Sequence, residues 1–247
     1  MIGIDLSGRV ALVTGGASGI GEGIARELAK AGATLILTGT RAQEKLQAAA
    51  DALPGKGHVA MQAPVEDRDA IAALKAMVEE KFGHLDILVN NAGITKPVPH
   101  GDLDALDDEL IDRVFRVNWR GSFATIRAMR PLLDKGTDSL IVNVSSIAGT
   151  SGTGSSVAYA SSKAAMNMMT VTLARALAPK IRVLSVSPGY VDTAFLDRTP
   201  EQKEKSASAS LIRGPVTPRQ MGSAVVALAT MFPMTTGAVI PIDGGRP

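Results

Sequence analysis

The chain has no cysteine in its 247 residues, so disulfides, thiolate nucleophiles and cysteine-ligated metals are excluded. Histidine is nearly as scarce: His58, His84 and His100 stand singly, without the spacing of metal ligands. Aromatic residues make up 3% of the chain, and only Tyr159 and Tyr190 are tyrosines. No charge of one sign dominates. Lys+Arg number 26 against 24 Asp+Glu, a formal net charge of +2 with no basic run to gather the excess, which speaks against a nucleic-acid partner. No window approaches the ~18 consecutive apolar residues of a membrane-spanning helix. The opening "MIGIDLSGRVALVTGG" has no cationic segment ahead of an apolar one and no small-residue cleavage site. These absences predict a soluble, cytoplasmic protein with no metal and with neither membrane nor nucleic acid as partner.

What is present is an alternation. Short β-branched apolar runs near 9–14, 34–39, 58–63, 86–91, 139–145, 181–187 and 238–243 are separated by Ala-rich segments of helical period near 20–31, 42–53, 67–82, 105–134, 158–178 and 217–230. This pattern predicts one α/β domain spanning 1–247, a seven-stranded parallel sheet wrapped by helices. No linker interrupts it, and no fixed-period repeat underlies it. Residues 190–216 break the rhythm, being polar, Ala/Ser-rich and far longer than an ordinary connection. Because the segment leaves the carboxyl end of a strand, where open α/β sheets bind ligands, it is read as a lid over the substrate.

"VTGGASGIG", residues 13–21, follows the first strand and opens the first helix. Gly15, Gly19 and Gly21 are spaced G-x-x-x-G-x-G. Absent side chains let the backbone approach a pyrophosphate, whose charge the free N–H groups of the helix N-terminus then face. Ser18 and Ile20 belong to the same loop. Tight packing is the bland explanation of such glycines, but the strand, loop and helix context is the one that dinucleotide binding requires.

Together with this loop, "NNAG" at 90–93, Asn118 in "VNW", Ser146 in "VSSIAG", "YASSK" at 159–163, "SPGYVDT" at 187–193 and the terminal "TGAVIPIDGG" resemble the ordered motif set of the short-chain dehydrogenase/reductase family. The likeness covers nearly the whole chain. It implies a Rossmann-type, doubly wound sheet with helices on both faces, a nicotinamide cofactor, and hydride transfer to or from a carbonyl or alcohol carbon. It also implies that Asn90, with Asn91, Ala92 and Gly93, lies beneath the adenosine half of the cofactor. Pro188, Gly189, the Val191 backbone and the Thr193 hydroxyl would hold the nicotinamide carboxamide. Where the family often places an aspartate beside the adenine this chain has Pro64, which leaves that contact to the backbone at Val65.

The choice between the two nicotinamide cofactors turns on the second strand. An acidic residue about 20 positions past the glycines would bind the ribose hydroxyls of NAD, whereas a nearby arginine accommodates the 2′-phosphate of NADP. From Leu28 to Gln43 there is no Asp or Glu, and the strand ends "LTGTR" with Arg41. NADP(H) is therefore favoured, with NAD(H) as the alternative. Family members that prefer NADP often carry the arginine one position earlier, at the place of Thr40.

Tyr159 and Lys163, four apart on a helix, share a face. A free phenol has a pKa near 10, and an ammonium about 4 Å away at an effective dielectric near 20 stabilises the phenolate by ~4 kcal/mol, or roughly three pKa units. Such a phenol would titrate near 7, as acid/base work requires. Ser146, thirteen positions before Tyr159, resembles the family's catalytic serine, in preference to the adjacent Ser145. Its hydroxyl would hold the substrate oxygen against the phenol. Lys163 would also reach the nicotinamide ribose. Asn118, a poor helix former inside a long helix, would interrupt backbone bonding and hold a water that relays protons to Lys163. Tyr190 is read as pocket wall.

The expected activity is interconversion of a secondary alcohol and a ketone, with a small carbonyl or alcohol compound as substrate. A 3-oxoacyl thioester on an acidic carrier is the narrower alternative, approached past Arg198, Lys203, Lys205 and Arg213. A sugar, polyol or steroid dehydrogenase is another, and a non-catalytic cofactor sensor a third. Phe115, Phe123, Met166, Met168 and Met169 give the helices near 105–134 and 158–178 apolar residues on more than one face. In the family the equivalent pair forms a four-helix subunit interface, so a homotetramer or homodimer is expected.

Overall fold

The computed structural model describes residues 3–197, 199–212 and 214–245. Its seven strands are β1 (Val10–Thr14), β2 (Thr34–Gly39), β3 (Val59–Gln62), β4 (Ile87–Asn90), β5 (Ser139–Val144), β6 (Ile181–Pro188) and β7 (Val239–Ile242). All pairings are parallel and the spatial order is β3-β2-β1-β4-β5-β6-β7. The connecting helices are α1 (Gly19–Lys30), α2 (Gln43–Asp51), α3 (Arg68–Phe82), α4 (Asp108–Phe115), α5 (Ser122–Leu133), α6 (Ala148–Ser151), α7 (Val157–Leu177), α8 (Pro200–Ser208) and α9 (Pro218–Thr230). Every strand read from the sequence is present, and so is every helix but the one expected over 105–134. The seven strands and the helices on both faces form the doubly wound arrangement in one domain.

The strands carry apolar residues on both faces because both are covered. Val13, Leu35, Leu37, Val89, Val142 and Leu184 pack beneath α1, α2 and α9, with Ile24 and Leu28 of α1 and Met221 and Val225 of α9. Leu12, Ile36, Leu88, Ile141 and Val183 point the other way, against Leu74 and Val78 of α3, Met129 and Leu132 of α5, and Met166 of α7. Glycine makes one of these contacts possible. A Cβ on Gly23 would lie 2.3 Å from the Pro218 carbonyl and one on Gly222 would lie 2.5 Å from the Gly23 carbonyl, so α1 and α9 touch backbone to backbone.

Two sequence expectations are corrected. The helix expected over 105–134 is interrupted by a π-helical turn, Arg116–Gly121, between α4 and α5. The stretch 190–216 is not a bare loop, because α8 lies inside it, begun by a capping box in which Thr199 accepts from Gln202 N and Gln202 reaches back to Thr199 N. The base of that stretch is closed by a parallel bridge between Val191 and Val216. The ion pair of Lys203 with Asp192, at 3.0 Å, ties α8 to the chain leaving β6. Among the described residues no helix is long and apolar enough to cross a membrane.

Candidate active site

The spatial order of the strands reverses between β1 and β4, and ligands of open α/β sheets bind where the carboxyl ends diverge at such a point. A cleft of about 1210 Å³ opens there, lined by the glycine loop and the end of β2, by Ser146 and Tyr159, and by Tyr190, Phe195, Leu196 and Lys205 of the stretch after β6.

The glycine loop is locked to β4 by one side chain. Asn91 Nδ2 donates to the carbonyls of Thr14 (2.9 Å) and Gly15 (3.1 Å). Thr14 Oγ1 in turn accepts from the amides of Asn91 and Ala92, both at 3.0 Å. Gly15 and Gly19 adopt left-handed backbone, φ +64° and +54°, where a side chain would be strained. Ser18 caps α1 in extended conformation without a side-chain hydrogen bond to the helix amides, so these are not blocked by their own cap. Gly15, Ser18, Gly19 and Ile20 all line the cleft. Gly21 does not. Its role is packing, since a Cβ there would sit 2.2 Å from the Gly15 carbonyl and 2.5 Å from Asn91 Nδ2. A bare backbone cradle at an uncapped helix N-terminus fits a dinucleotide pyrophosphate.

Arg41, Val65, Asn91, Ala92, Gly93, Pro188, Gly189, Val191 and Thr193 line the same cleft. Thr193 also lies against the glycine loop, its Cγ2 3.4 Å from where a Gly19 Cβ would be. At the β2 end the lining is Thr38, Gly39, Thr40 and Arg41, with no carboxylate on that strand. Asn90 departs from expectation. Its Nδ2 donates to Asn143 Oδ1 (2.9 Å), and Asn143 Nδ2 donates to Thr170 Oγ1 (2.9 Å), so the residue braces β4 to β5 and α7 inside the core. One position shifts the side chain to the other face of a strand, which is why Asn91 meets the loop and Asn90 does not.

Ser146, Tyr159 and Lys163 come together on one wall. Ser146 hydrogen-bonds the Tyr159 side chain, and its Oγ is held from behind by the amide of Ala148 at 3.1 Å. The neighbouring Ser145 is buried and donates to the Lys163 carbonyl (3.1 Å), a structural bond. Lys163 Nζ donates to the Val144 carbonyl at 2.8 Å and lies 5.7 Å from the centre of the Tyr159 ring. Tyr159 is placed by the first turn of α7, where its amide donates to the N-cap hydroxyl of Ser156 (3.2 Å).

The protonation balance differs from the sequence-based expectation. Burial pushes the Tyr159 phenol up to about 12, with the Ser146 hydrogen bond pulling the other way. Burial also pushes the Lys163 ammonium down to about 8. In the free cleft, removal of both groups from water outweighs their attraction. The resting phenol is therefore neutral and a proton donor.

Asn118 lies behind this wall, fully buried in the π turn. Its Oδ1 accepts from Ile94 N (2.8 Å), and its Nδ2 donates to the Ile94 carbonyl (3.1 Å) and to Ser162 Oγ (3.0 Å). Ser162 Oγ then donates to the Tyr159 carbonyl (2.8 Å). The asparagine thus joins the chain after β4 to the turn of α7 that carries the phenol.

Sequence reading missed Phe195, whose ring centre is 6.2 Å from that of Tyr159 at a tilt of 51°. It lies between β6 and α8, where no periodicity signals a contact. Tyr190 lines the cleft and donates to Asp192 Oδ1 (3.2 Å). Of the four cations expected along 190–216, Lys205 lines the cleft and Lys203 is paired with Asp192; Arg198 and Arg213 lie outside the described residues.

Comparison with known proteins gives the family. A family model described as short chain dehydrogenase matches residues 9–204. A 3-oxoacyl-(acyl-carrier-protein) reductase of Thermotoga maritima is 37% identical over 246 residues, covering 97% of this chain and 98% of the relative. The Pseudomonas aeruginosa RhlG/NADP active-site complex superposes with a TM-score of 0.91 at 30% identity, over 100% of this chain and 99% of that one. A 3-ketoacyl-(acyl-carrier-protein) reductase from Brucella melitensis complexed with NADH gives a TM-score of 0.90 at 30% identity, over 98% and 99%. A family match across most of the chain, relatives aligned end to end and a dinucleotide cradle beside a Ser, Tyr and Lys wall have one reading: the chain belongs to the short-chain dehydrogenase family of oxidoreductases.

Proposed function

We propose that this protein is an NADP(H)-preferring oxidoreductase interconverting a secondary alcohol and a ketone, with Tyr159 as the acid/base. One observation carries the reading: Ser146, Tyr159 and Lys163 share a wall of the cleft whose far end is the glycine loop. Bound there, a nicotinamide would supply or accept the hydride. The chain's own residues handle the proton. Ser146, fixed by the Ala148 amide, turns its hydroxyl to the substrate oxygen. Tyr159 gives that oxygen its proton in reduction and takes it back in oxidation. Lys163, anchored to the Val144 carbonyl through one N–H, keeps two more for the ribose hydroxyls and offsets the charge of the phenolate left behind. Asn118 is a positioning residue.

A neutral phenol at rest suits reduction. An NADPH-depletion screen over ketones and acyl thioesters, repeated in reverse with alcohols, tests the reading; tight NADPH binding without turnover on any of them would favour a cofactor sensor. Lys205 at the lid end of the cleft and the reductases among the relatives favour a 3-oxoacyl thioester on an acidic carrier as the substrate.

The cofactor preference rests on Arg41. A charge-assisted hydrogen bond contributes about 1.5–3 kcal/mol, or roughly 10- to 100-fold, so Arg41→Ala should lower kcat/KM for NADPH by about that factor and leave NADH nearly unchanged. A wild-type protein that prefers NADH would contradict the assignment.

Self-association is part of the proposal. Met166 and Met169 turn into the core, whereas Met168, 61% exposed, faces outward from α7. Light scattering should report a dimer or tetramer, and a monomer would oppose it.

A further inference from the structure

The substrate end of the cleft contains a pair of hydroxyls that the proton chemistry does not use. Thr95, on the chain after β4, and Ser155, ahead of α7, hydrogen-bond each other through Oγ1 and Oγ, and both line the cleft. They stand beside the reacting wall: Gly154, one residue before Ser155, sits 3.8 Å from Tyr159 Cδ1, measured from where its Cβ would be.

Tying the two segments together does not explain the pair, because the Val98 amide already does so by donating to the Ser155 carbonyl at 2.7 Å. Nor are these hydroxyls saturated. Thr14 shows what saturation looks like: its Oγ1 donates to Val89 O and accepts two amides. A bonded pair of hydroxyls holds two protons, of which only one can lie between the oxygens. That bond leaves the second proton and further lone pairs over at a place lining the cleft, so the pair can both donate to and accept from a ligand oxygen. Phe195 and Leu196 supply an apolar wall in the same cleft.

We propose that Thr95 and Ser155 form a specificity subsite that binds a second oxygen of the substrate, close to the carbonyl or carbinol carbon that reacts. The substrate class is then a ketone or alcohol with a neighbouring carbonyl or hydroxyl and an apolar remainder against Phe195. This rests on the oxidoreductase reading and narrows it. A plain ketone leaves the hydroxyls without that partner, and a site built to hydrogen-bond an oxygen discriminates against an analogue lacking it.

The test compares ethyl 3-oxobutanoate with 2-heptanone, which has the same seven-atom chain but lacks the ester oxygens, by NADPH oxidation. Since the two ketones differ in intrinsic reactivity, the readout is the change in the ratio of their kcat/KM values between wild type and variants. For Thr95→Val with Ser155→Ala the ratio should fall five- to tenfold, the loss expected for about one neutral hydrogen bond. The conservative Thr95→Ser should keep it within twofold. NADPH affinity, followed by fluorescence, reports whether the cleft is otherwise intact. A ratio unchanged in the double variant would overturn the subsite while leaving the oxidoreductase reading in place. Absence of turnover with either ketone, with acyl thioesters and with alcohols would overturn both.

Discussion

Replacing Tyr159 with Phe should lower kcat by about a thousandfold or more, while the dissociation constant for NADPH changes less than threefold. General acid/base catalysis by a positioned side chain contributes typically 10²- to 10⁴-fold. The upper part of that range applies because the other groups of the wall are engaged elsewhere: Ser146 with the phenol itself, and the Lys163 ammonium with Val144 O. Cofactor affinity should survive, since the glycine loop is held by Asn91 and Thr14 rather than by Tyr159. Steady-state kinetics paired with fluorescence titration separates the two effects. Activity within tenfold of wild type would remove Tyr159 from the chemistry. Ser146→Ala should cost less, and the double variant should cost little more than Tyr159→Phe alone, because residues acting as a unit are not additive.

Lys163→Met should be nearly as damaging to turnover yet leave the fold at least as stable at pH 7. The ammonium is 4% exposed and held below its ordinary pKa, at about 8, by burial. Against an unfolded value near 10.5, the charged form is disfavoured in the fold by about 3 kcal/mol. That cost is fully present below about pH 8, where folded and unfolded lysines are both charged, and fades as pH rises from about 8 towards 10.5. Methionine removes it but leaves the Val144 carbonyl without its donor, a loss of about 1–3 kcal/mol. The variant should therefore match or modestly exceed wild type in urea denaturation at pH 7 and lose any advantage by pH 9.5. In wild type, reductive kcat/KM should decline as pH rises through about 8 and Lys163 gives up its proton. A Lys163→Met protein destabilised by several kcal/mol at pH 7 would mean that the lysine is structural.

Much of this architecture is legible in the sequence because the strands are buried on both faces and so read as continuous apolar runs. The helix starts show where reading succeeds and where it slips. "TPRQ" at 217–220 and "TPEQ" at 199–202 are the same signal, a threonine N-cap, a proline at the first helical position and a glutamine closing the capping box. The first precedes an apolar helix and was visible. The second precedes a polar one, α8, that the surrounding Ser, Ala and Lys residues disguise as loop. The π turn at Asn118 has no periodic signature, although the asparagine itself marks the place. Helical spacing puts Tyr159 and Lys163 on one face, whereas Ser146 is told from Ser145 by the family resemblance of its place thirteen residues before Tyr159 and not by geometry. Phe195 and the Thr95–Ser155 pair could not be found, because they depend on how irregular segments distant in sequence fold onto each other. The protonation states were equally hidden: charge proximity is readable from spacing, and burial is not.

The central claim is that a buried phenol and a dinucleotide share one cleft, and the two tyrosines make it directly measurable. In a Tyr190→Phe variant, tyrosinate absorbance reports Tyr159 alone. The account predicts no ionisation through about pH 10.5 in the free protein, with the phenol titrating at about 12. With saturating NADP⁺, a positive charge beside the phenol should lower that titration by at least about one unit. A phenol that ionises near its ordinary value of about 10, and does so equally with and without the dinucleotide, would contradict it.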